Sequence, residues 1–364
     1  MTGPRQAGKT TLLSQLFPAY RYLSLEEPTL REEAQLDPRA FLAKYDRQVI
    51  FDEAQRVPEL FNYLQGVVDA DREPGRYVIS GSQNFLLHRN ITQSLAGRVG
   101  IARLFPFDFQ ELRQADLLPE DPGAAMIRGG YPNALVTDIP ARYFFADYVS
   151  SYLERDVGEF VNTSNMANFQ RFLQICAFFV GQLINVSQIA TMAQVNVKTV
   201  NAWLSILEAS YIVFRLPPYF NNLGKRLTKS PKLYFYDTGL LCYLLNARNV
   251  EELRATNKYG AVFENLVIAE RTKSLYHAGE RPLLSFFRDN NGLEADLVEG
   301  GPLRMDLTEI KSGTTWSAKW DKTIRRIGNL AEVPVTYRVV YGGDEEPNVV
   351  AGTEYRPWFL AGWE

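Results

Sequence analysis

The stretch GPRQAGKTT, Gly3 to Thr11, constrains this chain more than any other. It satisfies the pattern G-x-x-x-x-G-K-[ST] at every fixed position, with Gly3, Gly8, Lys9 and Thr10. Glycines let successive backbone N–H groups turn inward around a phosphate, and Pro4, Arg5, Gln6 and Ala7 form the body of the loop. Lys9 offers a cation to the β- and γ-phosphates, Thr10 offers a hydroxyl to Mg²⁺, and Thr11 extends the site. Leu12, Leu13 and Leu16 predict a helix over 10–17 whose positive N-terminus faces the anion. A phosphate loop normally hangs from a buried strand, yet only Met1 and Thr2 precede Gly3. Either the start is internal, or the central strand is missing or replaced.

A second signal follows at QVIFDEAQ. Val49, Ile50 and Phe51 read as a buried strand that delivers Asp52 and Glu53 at its C-terminal end, where open α/β sheets place ligands. Asp52 would help hold Mg²⁺, and Glu53 would polarise the attacking water. A strand over 20–25 and a charged helix over 31–45 precede it; a helix over 59–70 and the strand RYVISGSQ follow. Ser80, Ser82, Gln83 and Asn84 then fall where a third strand could set a polar group near the γ-phosphate. Arg98, in SLAGR ahead of the strand VGIARLF, reads either as an arginine finger acting in trans or as a surface ion pair.

These segments, GPRQAGKTT, VIFDEAQ, SGSQNF and SLAGRV, are followed in order by MIRGGYP, YLERDV, KSPKLYFYDTGLL and VFEN. Together they resemble the prokaryotic AAA-type ATPases that carry a C-terminal domain of unknown function related to restriction-endonuclease-like, PD-(D/E)XK, nucleases. The resemblance covers nearly the whole chain. It implies a cytoplasmic ATP- and Mg²⁺-dependent P-loop ATPase with a winged-helix segment and a nuclease-like tail.

Composition bounds the partners. The net charge of −3 gives no global attraction to DNA or RNA, so such contact has to come from a local basic patch. Cys176 and Cys242 sit in apolar helical runs and read as small buried hydrophobes. With His88 and His277 the only histidines, neither a disulfide framework nor a Cys/His zinc site is expected. No stretch resembles a signal peptide or a membrane span, which predicts a cytoplasmic protein with no membrane partner.

In the middle segment, a helix over 169–180 precedes SQIATMAQVNVKTVNAWLSILEAS. Ser187 is expected to cap a short helix. A second helix over 198–209 repeats Val200, Trp203, Leu204 and Leu207 at helical spacing. With YIVFRLPPY as a wing-like strand, this is a winged helix-turn-helix pattern. Its outward residues, Lys198, Thr199, Asn201, Ala202 and Ser205, carry a single positive charge, which is poor for DNA and suits a structural or subunit-contacting role. The run GKRLTKSPK, with Lys225, Arg226, Lys229 and Lys232, is the best basic patch and faces either nucleic acid or solvent.

The tail holds a second constellation. Glu264 lies in a helix over 260–274, and strands are expected at LLSFFR, LEADLV and MDLTEIKSG. Asp296, then Glu309-x-Lys311, is the Asp…Glu-x-Lys order of metal-dependent nucleases. Strand alternation puts Glu309 and Lys311 on one face, and two carboxylates with Glu264 could hold Mg²⁺. The alternative for Glu309 and Lys311 is a strand-end ion pair.

The expected architecture is α/β: a parallel-sheet P-loop core over 1–140, a helical and winged-helix segment over 141–228, and a restriction-endonuclease-like domain over 229–364. The expected function is Mg²⁺-dependent ATP hydrolysis driving a conformational switch, in a homo-oligomer if Arg98 acts in trans. The alternatives are an ATP-gated nuclease and a winged-helix DNA-binding regulator with a vestigial P-loop.

Overall fold

A computed structural model of the chain describes residues 1–71, 73–81, 95, 97–137, 139–152, 165–219, 230–301 and 303–363. Ser82, Gln83 and Asn84 lie outside the described residues, as do most of YLERDV and Lys225, Arg226 and Lys229 of the basic run. The chain divides into two compact units, Met1–Phe105 with Ala209–Tyr211, and Pro106–Glu208 with Ile212–Glu364.

The first unit is a parallel sheet in the order β1 (Arg21–Ser24), β2 (Val49–Asp52), β3 (Tyr77–Ile79). All four residues of β2 are buried, as a continuous apolar run in a parallel sheet should be. Thr2 forms parallel bridges to Gly81, just past β3, and to Arg103. It donates its N–H to Ala102 and accepts from the Leu104 N–H, each at 2.9 Å. Met1 and Thr2 thus supply the pairing next to β3, and the expected strand over 99–105 contracts to the Arg103 bridge among the described residues.

Among the described residues four helices accompany this sheet: α1 (Lys9–Leu16), α2 (Pro28–Leu36), α3 (Pro38–Lys44) and α4 (Leu60–Ala70). The single charged helix expected over 31–45 is two. Proline has no N–H to donate inside a helix but suits its first turn, so Pro38 ends one helix and starts the next. The Asp37 carboxylate caps α3 by accepting from the Arg39 and Ala40 N–H groups.

In the second unit the helices α5 (Phe109–Gln114), α6 (Pro122–Arg128), α7 (Pro132–Val136) and α8 (Ala141–Tyr152) lead to α9 (Met166–Phe178). Next come α10 (Val186–Ala193) and α11 (Val197–Ala209). Val200, Trp203, Leu204 and Leu207 are all buried in α11, and the Trp203 ring packs 5.2 and 5.3 Å from Phe169 and Phe172. Lys198, Asn201, Ala202 and Ser205 are exposed and Thr199 is half-buried. The cap of α10 is Asn185, whose side chain accepts from the Gln188 N–H, and not Ser187, which already lies inside the first turn. Strand β4 (Val213–Leu216) pairs antiparallel with β5 (Lys232–Phe235).

After α12 (Thr238–Leu244) and α13 (Val250–Ala255) comes α14 (Tyr259–His277), which is longer than the helix expected over 260–274. A six-stranded mixed sheet completes the unit. It comprises β6 (Ser285–Arg288), β7 (Glu294–Gly301), β8 (Arg304–Lys311), β9 (Val335–Tyr341), β10 (Asn348–Val350) and β11 (Thr353–Pro357), in the order β10-β11-β9-β8-β7-β6. Leu297, Ile310 and Val340 share a core with α14 residues Phe263, Leu266 and Val267. On the other side Met305, Leu307 and Val339 share one with Ile324 and Ile327 of α15 (Lys322–Gly328). Cys176 and Cys242 are buried free thiols. Among the described residues no helix is long and apolar enough to cross a membrane.

The cap assignment has a direct test. Asn185→Ala should lower the unfolding free energy by about 1 kcal/mol, and Ser187→Ala by less than about 0.5 kcal/mol. Urea unfolding of both variants followed by circular dichroism checks the order.

Candidate functional site

The phosphate loop is shaped by its backbone. Gly3 has φ +153°, and a Cβ there would lie 1.9 Å from the Leu104 carbonyl oxygen. Gly8 takes the left-handed conformation as the N-cap of α1, and Gln6 is also left-handed at φ 59°. The buried Lys9 ammonium turns back into the loop and donates to the carbonyls of Gly3 at 3.0 Å and Pro4 at 2.7 Å. Pro4 and Ala7 are buried, Arg5 is half-buried, and Thr10 and Thr11 are exposed at the start of α1.

Asp52, at the end of β2, joins the loop to the sheet. The Thr10 hydroxyl donates to Oδ2 at 2.9 Å, and the Tyr22 hydroxyl donates to the same oxygen. Ser80 Oγ and the Glu53 N–H donate to Oδ1. Burial alone would push this carboxyl up. The donors from Ser80, Tyr22, Thr10 and Glu53 outweigh it and hold Asp52 below the usual aspartate range. Burial and the Asp52 carboxylate raise the Tyr22 phenol well above its ordinary value. Glu53 follows with φ 52° and ψ 39°, a conformation that costs a non-glycine residue energy and clusters at functional positions. Its carboxylate accepts from the Gln55 amide. Arg98 forks onto Asp69 of α4, with Nε and a terminal nitrogen 2.6 and 3.0 Å from the two carboxylate oxygens.

Tyr22 has no local signal in the sequence. Its role depends on β1 lying beside β2 with Ser24 opposite Asp52.

The tail residues also come together. The Asp296 carboxylate on β7 accepts from the Ile310 N–H of β8 at 2.8 Å, and Lys311 donates to Glu309 Oε1. Glu309 is 7% exposed, and its Oε2 has no hydrogen-bond partner among the described residues. Burial first, then neighbouring carboxylates, raise Asp296 well above the aspartate range, and burial raises Glu309 despite Lys311. Glu264, whose charge acts on both Asp296 and Glu309, is itself bonded to other groups: it accepts from Lys232 Nζ at 3.0 Å and from the Tyr234 hydroxyl. Lys232 also pairs with Glu294 at 2.6 Å, and Glu294 with Arg288 at 3.2 Å. Burial would lower the Lys232 ammonium, but Glu264, Asp296 and Glu294 together raise it.

Among the described residues the one group of three His, Cys, Asp or Glu ligand atoms within 4.8 Å of one another is Asp108, Glu111 and His277. There Asp108 and Glu111 form the capping box of α5, and His277 Nδ1 pairs with Asp108 at 2.6 Å. Glu264, Asp296 and Glu309 do not form such a group.

Residues 1–113 match the family described as an AAA domain. The loop, the acidic strand end and this match together define the N-terminal segment as an AAA-type P-loop domain. Residues 120–251 and 259–357 match two domains of unknown function, DUF8612 and DUF4143. Uncharacterized proteins of Mycobacterium tuberculosis and Mycobacterium bovis are each 31% identical over 302 residues, covering 82% of this chain and 66% of theirs. The chain therefore spans just under two thirds of the length of these curated relatives. An uncharacterized Haemophilus influenzae protein is 24% identical over 213 residues, 55% of this chain and 51% of its own. Among solved structures, a Thermotoga maritima RuvB variant aligns with 18% identity over 59% of this chain and 80% of its own, at a TM-score of 0.30, too loose an agreement to argue from.

Because the folded-state value of Asp52 lies below its unfolded one, its donors stabilise the fold above the ordinary aspartate range. That stabilisation is lost as pH falls through the folded value. Ser80→Ala should therefore lower the opening free energy of β2 by about 1.5–3 kcal/mol at pH 7, and by progressively less below about pH 4. Hydrogen exchange of the β2 amides across this range gives the readout.

Proposed function

We propose that the chain is a Mg²⁺-dependent ATPase whose turnover drives a conformational switch, with an AAA core over 1–140 and effector segments over 141–228 and 229–364. The observation that carries this reading is the Thr10–Asp52 hydrogen bond, which sets hydroxyl and carboxylate side by side next to the Lys9 loop. The donor set suits a nucleotide and its metal: a glycine-bounded loop at the start of α1, a lysine, a hydroxyl and an ionised aspartate. Thr10 and Asp52 would hold Mg²⁺ there, and the ion would supply positive charge to the phosphates.

The residues would then act as follows. Lys9 leaves the Gly3 and Pro4 carbonyls for the phosphates. Thr10 would give up its bond to Asp52 and offer its oxygen to the metal, while Asp52, held ionised by its donors, would help hold it. Glu53, one residue beyond, orients the attacking water. Ser82, outside the described residues, is read as a further polar group for the nucleotide. Arg98 would serve a neighbouring subunit in trans after releasing Asp69, which makes a homo-oligomer part of the proposal.

For the tail, the reading is a restriction-endonuclease-like fold, supported by Asp296 and Glu309-x-Lys311 meeting across β7 and β8. Nuclease chemistry would use Asp296 and Glu309, with Glu264, to hold Mg²⁺ and Lys311 to steady the attacked phosphodiester. The α10–α11 pair is read as a winged helix that contacts protein, because its exposed face offers Lys198 as its one cation.

ATP hydrolysis tests the core proposal. Glu53→Gln should lower turnover roughly 10²–10⁴-fold while ATP binding persists, and Lys9→Ala should lose both. A wild-type chain that neither binds nor hydrolyses ATP would overturn it. For the tail, Mg²⁺-dependent DNA or RNA cleavage lost in Asp296→Ala with ATP turnover intact would support the nuclease alternative, and no cleavage of any form would remove it.

A further inference from the structure

The geometry points to Lys232 as a resident cation that fills the place of a divalent metal in the acidic cluster of the tail, so that the cluster takes metal only when this lysine is gone. The inference rests on the endonuclease-like reading of Asp296 and Glu309 and adds to it a regulator supplied by another segment. Lys232 lies in the stretch 120–251 matched to DUF8612, whereas Glu264, Asp296 and Glu309 lie in the stretch 259–357 matched to DUF4143.

Three observations carry it. The Lys232 side chain is 3% exposed, and its ammonium bridges Glu264 at 3.0 Å and Glu294 at 2.6 Å, with the Phe286 ring centroid 5.4 Å away. A buried cation this well paired is part of the folded core and not a surface charge that has strayed inward. Second, Lys232 is held by its strand. Asn265, next to Glu264 on α14, accepts from the Phe235 N–H at 2.7 Å and donates to the Phe235 carbonyl at 2.9 Å, while Tyr234 donates to Glu264. The lysine therefore enters on a strand clamped to the helix that carries the acid. Third, the charges already nearly balance. Lys232 meets Glu264 and Glu294, Arg288 meets Glu294, and Lys311 meets Glu309, while Asp296 acts electrostatically on both Lys232 and Lys311. With all four acids ionised, a divalent ion in place of Lys232 would balance them, whereas one added beside Lys232 would set excess positive charge against a buried ammonium. Glu309 Oε2, buried and without a partner among the described residues, is the ligand atom waiting for that ion.

Mn²⁺ binding without nucleotide, followed by loss of the free-ion electron paramagnetic resonance signal, tests this on the full chain. Lys232→Met should gain one Mn²⁺ per chain, bound at least about tenfold tighter than by wild type. Adding Glu309→Gln should remove that site. Wild-type Mn²⁺ binding that is lost in Glu309→Gln would overturn the inference and leave the metal-site reading standing. A folded Lys232→Met chain that takes no Mn²⁺ would remove both. Should Lys232→Met fold only with Mn²⁺ present, the ion has replaced the lysine and the inference holds. Should it stay unfolded with Mn²⁺ as well, Lys232→Gln, which keeps hydrogen bonding without charge, decides the matter by the same gain or absence of a site.

Discussion

A buried carboxylate has to be compensated, and this chain does so in two ways with different consequences. Around Asp52 the compensation comes from dipoles: three hydroxyls and a backbone N–H. Dipoles stabilise the ionised form without cancelling its charge, so the carboxylate stays below its ordinary range and remains able to attract a cation. Around Glu264 the compensation is a whole charge, the Lys232 ammonium. The first arrangement leaves an ionised carboxylate beside the loop. The second satisfies the acid from within the fold.

What could be read in advance follows the same division between local and distant. The phosphate loop and the end of β2 are local patterns, in which spacing along the chain carries the geometry. Their elements form where the spacing predicts, with α1 starting at Lys9 and β2 ending at Asp52. Local competition explains the smaller differences. Pro38 divides a charged stretch that has helical composition throughout, and Asn185 takes the cap because an oxygen one residue before the first helical position reaches the Gln188 N–H. Glu309 and Lys311 meet because alternation on one strand requires it. Lys232 was legible only as one of four cations in a basic run. Nothing in that run says that its last lysine begins a buried strand, 32 residues before the acid it bonds.

Several of the segments that carry the family resemblance have structural work that their composition conceals. Gly129, at φ +67°, belongs to MIRGGYP, and a Cβ there would sit 2.6 Å from an Asp237 oxygen. Asp237, of KSPKLYFYDTGLL, accepts from the Gly130 N–H at 2.7 Å and caps α12 through the Leu240 N–H. In VFEN, Glu264 and Asn265 both grip β5. Gly129 is needed because a side chain there would displace a buried carboxylate, and the carboxylate is tolerated because backbone N–H groups meet it.

The same logic governs the long helix α14. Glu270 and Lys273 pair on it with each side chain 4% exposed, and each also bonds the backbone leading into α5: Glu270 accepts from the Phe109 N–H, and Lys273 donates to the Phe107 carbonyl. Burial outweighs Lys273 and raises Glu270 to about 7, so this pair costs the fold part of what its hydrogen bonds return. Apolar residues of similar volume could fill the space but could not hold that backbone in register. Charges along α14 are therefore placed where chain segments must be fixed: Glu264 and Lys232 at β5, Glu270 and Lys273 at α5. On this view the acidic cluster of the tail is first an anchoring device. Any metal bound there would have to displace an anchor, and this is the physical ground for the exclusion we propose between the lysine and the ion.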